Sequence, residues 1–242
     1  MKYILHLMLI FSLGSKIGAG DRADHLLEKA DQYRNGWPEF VVHTRLTNFK
    51  DGEQDDVGDF QVMIKGDDKT LVRFLNADQK GQYLLMLEDN MWIYLPNTRR
   101  PIRVTPLQRL MGDASNGDVA RSNFSRDYDA RVVGEDTVRG EPCHILELIA
   151  TNSAATYHRV EYWITQQEAR PVKAELYLTS GKHYKSISYE EYEDFNGRNV
   201  LTKMILHDRL RENRFTVMEF LDYQPRDLPQ KYFNKNYLTQ LK

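Results

Sequence analysis

Seven histidines and one cysteine are the side chains best suited to nucleophilic, acid–base or metal chemistry in this 242-residue sequence, and their placement argues against all three. His25, His43, His144, His158, His183 and His207 are spread over what reads as a helix and several separate strands. No serine stands in a Gly-x-Ser-x-Gly setting, and there is no zinc-type Cys/His spacing, phosphate-binding glycine loop or zinc-protease helix. Cys143 has no second cysteine with which to form an intramolecular disulfide. It sits in the alternating run Cys143-His144-Ile145-Leu146-Glu147-Leu148, where neighbours face opposite sides of a strand, so a Cys143–His144 dyad is disfavoured and a buried structural thiol expected. Asp113 and Asp118 are the one close carboxylate pair of interest, but Asn116-Gly117-Asp118 is also turn and helix-cap chemistry, which is the reading adopted. Arg99, Arg100 and Arg103 form the dense basic cluster, suited equally to a solvated turn and to contact with lipid head groups or an acidic partner. No catalytic residue, metal ligand or cofactor is therefore expected.

The elements that would position these groups centre on residues 80–121. Two apolar runs, 83–87 and 91–95, flank Glu88-Asp89-Asn90, as in two antiparallel strands and their tight reversal. Neither strand has a polar face, so both faces of the hairpin need cover. Beyond the Arg99-Arg100-Pro101 turn and a short strand at 102–104, Pro106 opens a segment that predicts a helix of about two turns, with Leu107, Leu110 and Met111 on one face and Gly112 ending it. Such a helix is marginal alone and is expected to dock as a lid on the second face of the hairpin.

Composition bounds the rest. An apolar content of 41% with 11% aromatic supports a real core. Thirty-three basic against 35 acidic residues recommend no nucleic-acid partner. Residues 1–20 read as a cleavable export signal, with Lys2 before an apolar run at 3–13 and Gly18-Ala19-Gly20 behind it. That run is short for a membrane span, and no cysteine lies near the cleavage site to take a lipid. A helix follows, capped by Asp21 or Asp24, striped by Leu26, Leu27 and Ala30, and stopped at 35–38. Thereafter alternation predicts strands at 40–49, 57–65, 70–75, 82–87, 91–95, 102–104, 130–138, 143–150, 158–165, 172–178, 184–192, 200–208 and 215–223. Short links without helical crossovers make this one antiparallel meander, mainly β, with a two-sheet sandwich as the rival. Residues 228–241 pack back as a strand or short helix. Val172, Ala174, Leu176 and Leu178 alternate with Lys173, Glu175 and Tyr177, giving an apolar inner face that either fills the barrel or lines a cavity.

The run 81–121, with Met91-Trp92-Ile93-Tyr94-Leu95-Pro96, Arg99-Arg100-Pro101-Ile102-Arg103, Leu110-Met111-Gly112 and Ser115-Asn116-Gly117-Asp118-Val119-Ala120-Arg121, closely resembles the outer-membrane lipoprotein-sorting protein family, relatives of the periplasmic lipoprotein carrier LolA. Gly140-Glu141-Pro142-Cys143, Tyr157-His158-Arg159-Val160 and Asp227-Leu228-Pro229 extend the resemblance over nearly all of 21–242, taken as one domain. It implies a single curved antiparallel sheet forming an open barrel of about 11–13 strands, with short lid helices and an N-terminal helix, carrying acyl chains of lipoproteins or lipids. On that basis Leu85, Leu87, Met91, Ile93 and Leu95 are expected to line the cavity. Leu107, Leu110 and Met111 are expected to form its movable lid, and Arg99, Arg100 and Arg103 to meet head groups or a partner. The functions implied are a periplasmic, monomeric carrier working between an inner-membrane transporter and an outer-membrane acceptor or, alternatively, a non-transporting lipid-binding accessory of a lipid-pumping membrane exporter. None of the founding carrier's site residues aligns by motif, so none is carried over.

Overall fold

A computed structural model describes residues 19–98, 100–121, 123–211 and 213–241. Residues 1–18 of the expected export signal, and Arg99, lie outside them. Helix α1 (Ala19–Asp31) is followed by β1 (Glu39–Lys50), β2 (Glu53–Lys65), β3 (Lys69–Phe74), β4 (Tyr83–Leu87), β5 (Asn90–Tyr94), β6 (Ile102–Val104), β7 (Arg109–Met111) and β8 (Ala114–Ser115). Then come helix α2 (Asn116–Ala120), β9 (Tyr128–Val138), β10 (Glu141–Ala150), β11 (Arg159–Thr165), β12 (Pro171–Tyr177), β13 (His183–Phe195), β14 (Arg198–Asp208) and β15 (Arg214–Pro225). Each of the thirteen strands expected from alternation is present, with its ends moved by a few residues, and together they form one 13-stranded sheet.

The strand order is β6-β5-β4-β3-β2-β1-β15-β14-β13-β12-β11-β10-β9. Two meanders thus meet where β1 pairs antiparallel with β15, and the sheet's free edges are β6 and β9. It is strongly curved and does not close. Because β6 and β9 lie at opposite ends of the sheet, the chain between them must travel from one free edge to the other. Residues 105–127 do so, and their buried side chains share a single core with those of the concave face.

Helix α1 packs along β9 through Ala23, Leu27 and Ala30, all buried, with Leu26 at the margin. Among the described residues it runs from Ala19, so Asp24 lies within the helix and not at its cap. Asp24 instead accepts the N–H of Ala130 at 3.3 Å, giving an edge-strand amide a partner. The helix ends at Asp31, short of the expected Asn35-Gly36-Trp37-Pro38 stop, and a turn carries the chain onward.

The β4–β5 hairpin has a two-residue turn, Glu88-Asp89, with Glu88 at φ 54°. Its second face is covered, but not by residues 106–112. Two short 3-10 turns, Gln230–Phe233 and Lys235–Gln240, lie on it. Leu228, Phe233 and Leu238 bury against Val41, Met63, Leu71, Tyr83 and Leu85, with Trp92 and Tyr94 alongside. Glu39 fastens this cover, its carboxylate accepting the Leu228 N–H at 2.8 Å and Lys65 Nζ at 2.6 Å.

The expected lid helix does not form. Arg109–Met111 is a strand paired with Ala114–Ser115 around Gly112, which adopts φ 53°. A Cβ at Gly112 would stand 1.6 Å from Asn48 Oδ1, so the turn needs glycine for conformation and for space. Two turns of helix between a proline and a glycine retain few intrahelical hydrogen bonds. Pairing satisfies the backbone better here, with Gln108 O accepting Asn116 N–H and Pro106 O accepting Gly117 N–H, both at 2.8 Å.

Candidate functional site

The concave face is apolar because alternation along each strand sends one row of side chains inward. Phe60, Leu84, Leu146, Val160, Ala174 and Leu206 have no accessible surface, so no water-sized space adjoins them and the interior is packed in this conformation. Part of that packing comes from the bridging segment. Met111, Ala114, Val119 and Ala120 belong to the same core, with Leu110 at its margin. Met111 lies over Gly58, where a Cβ would sit 2.2 Å from its Sδ; the lack of a side chain there makes room for it.

The same segment brings charge into the interior. Asp113, Ser115, Asn116, Asp118 and Arg121 are all more than nine-tenths buried. Asp118, in the first turn of α2, accepts the N–H of Ser115 at 2.8 Å, which is half of a capping box and agrees with the cap chemistry read from the sequence. Its carboxylate also accepts the Tyr157 hydroxyl at 2.7 Å and hydrogen-bonds Lys185 Nζ. Lys185 is 1% exposed, donates to Ser115 Oγ at 3.2 Å and faces the rings of Tyr157 and Tyr184. Arg34 adds a hydrogen bond to the Asp118 main-chain carbonyl at 2.9 Å. Burial, with Asp118 beside it, pushes the Tyr157 phenol well above its ordinary range.

Both ends of the segment are fastened as well. At one, Asp113 N–H donates to Thr216 Oγ1 at 2.9 Å, and Thr216 donates in turn to Asn48 at 2.8 Å. At the other, Arg121 forms a two-point ion pair with Asp127, at 2.8 and 2.5 Å, and reaches the Glu88 carbonyl at 3.2 Å. Asp31, at the end of α1, accepts the N–H groups of Phe124 and Ser125 at 3.0 and 2.7 Å. Burial raises its carboxyl to about 7 despite those hydrogen bonds and the nearby Arg34. Asp113 is likewise raised, by burial and then by Asp208.

The residues expected to line one cavity divide between two faces. Leu84 pairs with Ile93, Leu85 with Trp92 and Met86 with Met91. Met91 is therefore in the concave core with Leu84 and Met86, and Ile93 shares that side, whereas Leu85 lies on the convex face under the C-terminal turns. Leu87 follows Leu85 in parity, and Leu95 lies just past the strand, both half-buried. The two-residue turn sets Leu85 opposite Trp92 and Leu87 opposite Asn90, which puts Leu85 and Leu87 on one face and Met91 and Ile93 on the other, so the expected single ladder is corrected to two rows. Within the expected lid, Met111 is buried, Leu110 half-buried and Leu107 exposed at 36%. Arg100 is exposed. Arg103 stands opposite Trp92, whose face is convex, and hydrogen-bonds Asn90, so it does not rim the concave face. Lys185 and Arg34, which reach Asp118 from the sheet and from the turn after α1, were not picked out from the sequence. Lys185 had a readable signal: in Lys185-Ser186-Ile187-Ser188-Tyr189 it occupies the apolar register.

One convex cluster has the residue types of a hydrolase. His183 Nε2 lies 2.6 Å from Glu175 Oε2 and 3.3 Å from Ser186 Oγ. A relay needs the imidazole to use its two different nitrogens, whereas here one nitrogen meets both partners. Ser186 already hydrogen-bonds Glu175, and Arg209 donates to its hydroxyl at 2.7 Å. Burial raises Glu175, but hydrogen bonds from Lys173 and Ser186 outweigh it and hold the carboxyl below the usual range. The cluster is a hydrogen-bond network on the convex side of the sheet, with Glu175 and Ser186 buried in it. Cys143 is fully buried with Trp163 and Val172, and burial raises its thiol, in keeping with a structural role.

A family model described as an uncharacterized protein matches residues 66–240. No curated protein matches the chain. Among solved structures, a LolA superfamily protein from Nitrosomonas europaea is 34% identical, with TM-score 0.83 over 89% of this chain and 98% of that one. A DUF1329 family protein from Desulfovibrio piger, 23% identical with TM-score 0.79 over 92% and 100% of the two chains, shares the fold. So does a domain named for outer-membrane lipoprotein sorting from Vibrio parahaemolyticus, at 18% identity and TM-score 0.76 over 91% and 99%. With about a third of its residues identical to the Nitrosomonas protein over nine-tenths of its length, the chain belongs to the LolA superfamily.

Proposed function

We propose that the protein is an exported, periplasmic carrier that takes acyl chains of lipids or lipoproteins against its concave face and moves them towards the outer membrane. One observation carries the reading: the apolar concave face of an unclosed sheet is filled by a segment of the protein's own chain that is held by polar contacts at a few points. An acyl chain gains about 0.8 kcal/mol per buried methylene, so one of ordinary length can replace Met111, Val119 and their neighbours at comparable apolar gain. Exchange of one apolar occupant for another leaves the free energy nearly level, and a carrier must be able to release what it holds. Family membership supports the same reading, as does the Vibrio domain named for lipoprotein sorting. Residues 1–20 act as the signal and 21–242 as the binding domain. An inner-membrane transporter supplies the cargo and an outer-membrane acceptor receives it. Catalysis is no part of the reading.

The test is direct. The protein purified from its native cell envelope is extracted, and the bound lipid is identified by mass spectrometry. Acylated peptides or free lipids at near one per protein are expected. Absence of any acyl species, with no binding of an added fluorescent fatty acid, would leave a filled β domain and reject the proposal.

A further inference from the structure

Lys185 is the feature of the interior that acyl binding alone does not use. It is 1% exposed, on the inward row of β13 with Ile187 and Tyr189, and its ammonium is matched by the Asp118 carboxylate. That match belongs to the bridging segment, not to the wall. When the segment leaves the concave face it takes Asp118 and Asp113 with it, while Lys185 and Arg34 stay behind on the sheet and on the turn after α1. In the filled form Asp208, across the strand pair from Lys185, is turned to other partners: it accepts the Leu210 N–H at 2.7 Å and faces Arg211 at 3.9 Å. The tyrosines left around Lys185, Tyr157 and Tyr184, have phenols raised by burial, so they are neutral and offer ring faces and hydroxyls, not charge. An ammonium on this apolar row, beside the rings of Tyr157 and Tyr184 and without a counter-charge, is strongly unfavourable, so an occupant that replaces the segment must replace its carboxylate too.

We infer that the cargo is an anionic amphiphile, with an acyl chain on the apolar concave face and a carboxylate or phosphate paired with Lys185 in the place of Asp118. The inference rests on the acyl-carrier reading and narrows it. A neutral diacylglyceryl anchor has no anion at the root of its chains, whereas fatty acids and phosphate-bearing lipids do.

The test compares ligands with one chain and different ends. Oleic acid, oleoyl lysophosphatidic acid, oleyl alcohol and mono-oleoylglycerol compete at pH 8 with a fluorescent acyl probe, on the wild type and on the Lys185→Met/Asp118→Asn double variant. The double variant is neutral at both positions; its amide keeps a carbonyl oxygen for the Ser115 N–H and an NH2 that can donate to the Tyr157 hydroxyl oxygen. The wild type is expected to prefer the anions over the neutral ligands by at least about tenfold, the worth of one charged hydrogen bond. In the double variant the preference is expected to fall close to one while the neutral ligands still bind. A stronger response to oleic acid identifies a carboxylate head group, and to lysophosphatidic acid a phosphate. Equal binding of charged and neutral ligands by the wild type, or a preference that survives in the double variant, overturns the inference and leaves acyl carriage standing. Failure of the probe and all four ligands to bind overturns both.

Discussion

Lys185 and Asp118 are each tolerable in the interior only because of the other. Replacing Lys185 by Met alone strands a buried carboxylate and should cost about 3–5 kcal/mol. Adding Asp118→Asn should return most of that loss, so urea unfolding of the two single variants and the double should be strongly non-additive. Asp31 makes a separate prediction through pH. Its carboxyl is raised to about 7 in the folded protein against an ordinary value of 3.8. Between those values the folded state holds a proton that the unfolded chain has released, so this group makes stability fall as pH rises from about 4 to about 7. Asp31→Asn should remove that slope. Relative to the wild type, the variant should gain on the order of a few kcal/mol at pH 7.5 over its standing at pH 4, read as the difference in urea midpoints. A difference that is flat with pH would mean that the two N–H donors keep Asp31 ionised throughout. Asp118 was legible as cap chemistry and Lys185 through its apolar register, but Asp31 was not: it reads as an ordinary polar position near a helix end, and only the fold places it beneath residues 124 and 125.

At the scale of elements, the strands were legible and the closure was not. A two-residue period is local, and it located all thirteen strands of the sheet, from Glu39–Lys50 to Arg214–Pro225. The same rule showed that the β4–β5 hairpin needs cover on both sides. What supplies that cover is set by partners distant in sequence. The C-terminal turns, more than 130 residues away, took the place assigned to residues 106–112, and those residues formed a hairpin because Asn48 and Thr216 receive it. Within that hairpin the side chains are unequal. Met111→Ser should cost about 2–5 kcal/mol by emptying the space over Gly58, whereas Leu107→Ser should change stability by less than about 0.5 kcal/mol. Gly112→Ala, placing a methyl against Asn48 at a φ of 53°, should cost about 1–3 kcal/mol. It should also raise the affinity for a fluorescent fatty acid, because it strains the filled form and not the wall. Unchanged probe binding together with lowered stability would make the hairpin ordinary core.

For the whole molecule, the sheet is covered on both of its faces by segments that are not strands of it: α1 and residues 105–127 inside, the C-terminal turns outside. Ending the chain after Asp227 should bare Tyr83, Leu85 and their convex neighbours. The loss of Leu228, Phe233 and Leu238, at about 1.5–3 kcal/mol each, should lower stability, and the new apolar patch should cause self-association, measured by light scattering. A monomer of unchanged stability would show the cover to be dispensable. The inner segment differs because it is joined at one end to β6 and at the other to β9, the two free edges, so it never leaves the neighbourhood of the surface it fills. It is a competitor tied to its own target, present at an effective concentration on the order of millimolar or more for short tethers. The affinity measured for any cargo is then the intrinsic affinity reduced by the fraction of molecules already vacated. Loosening Asp118, Gly112 or Arg121 should strengthen binding of every acyl ligand by a common factor, while changes in the wall alter their order. Refilling after release is unimolecular, so the greasy surface is hidden again at a rate that does not depend on how much of the protein the cell holds.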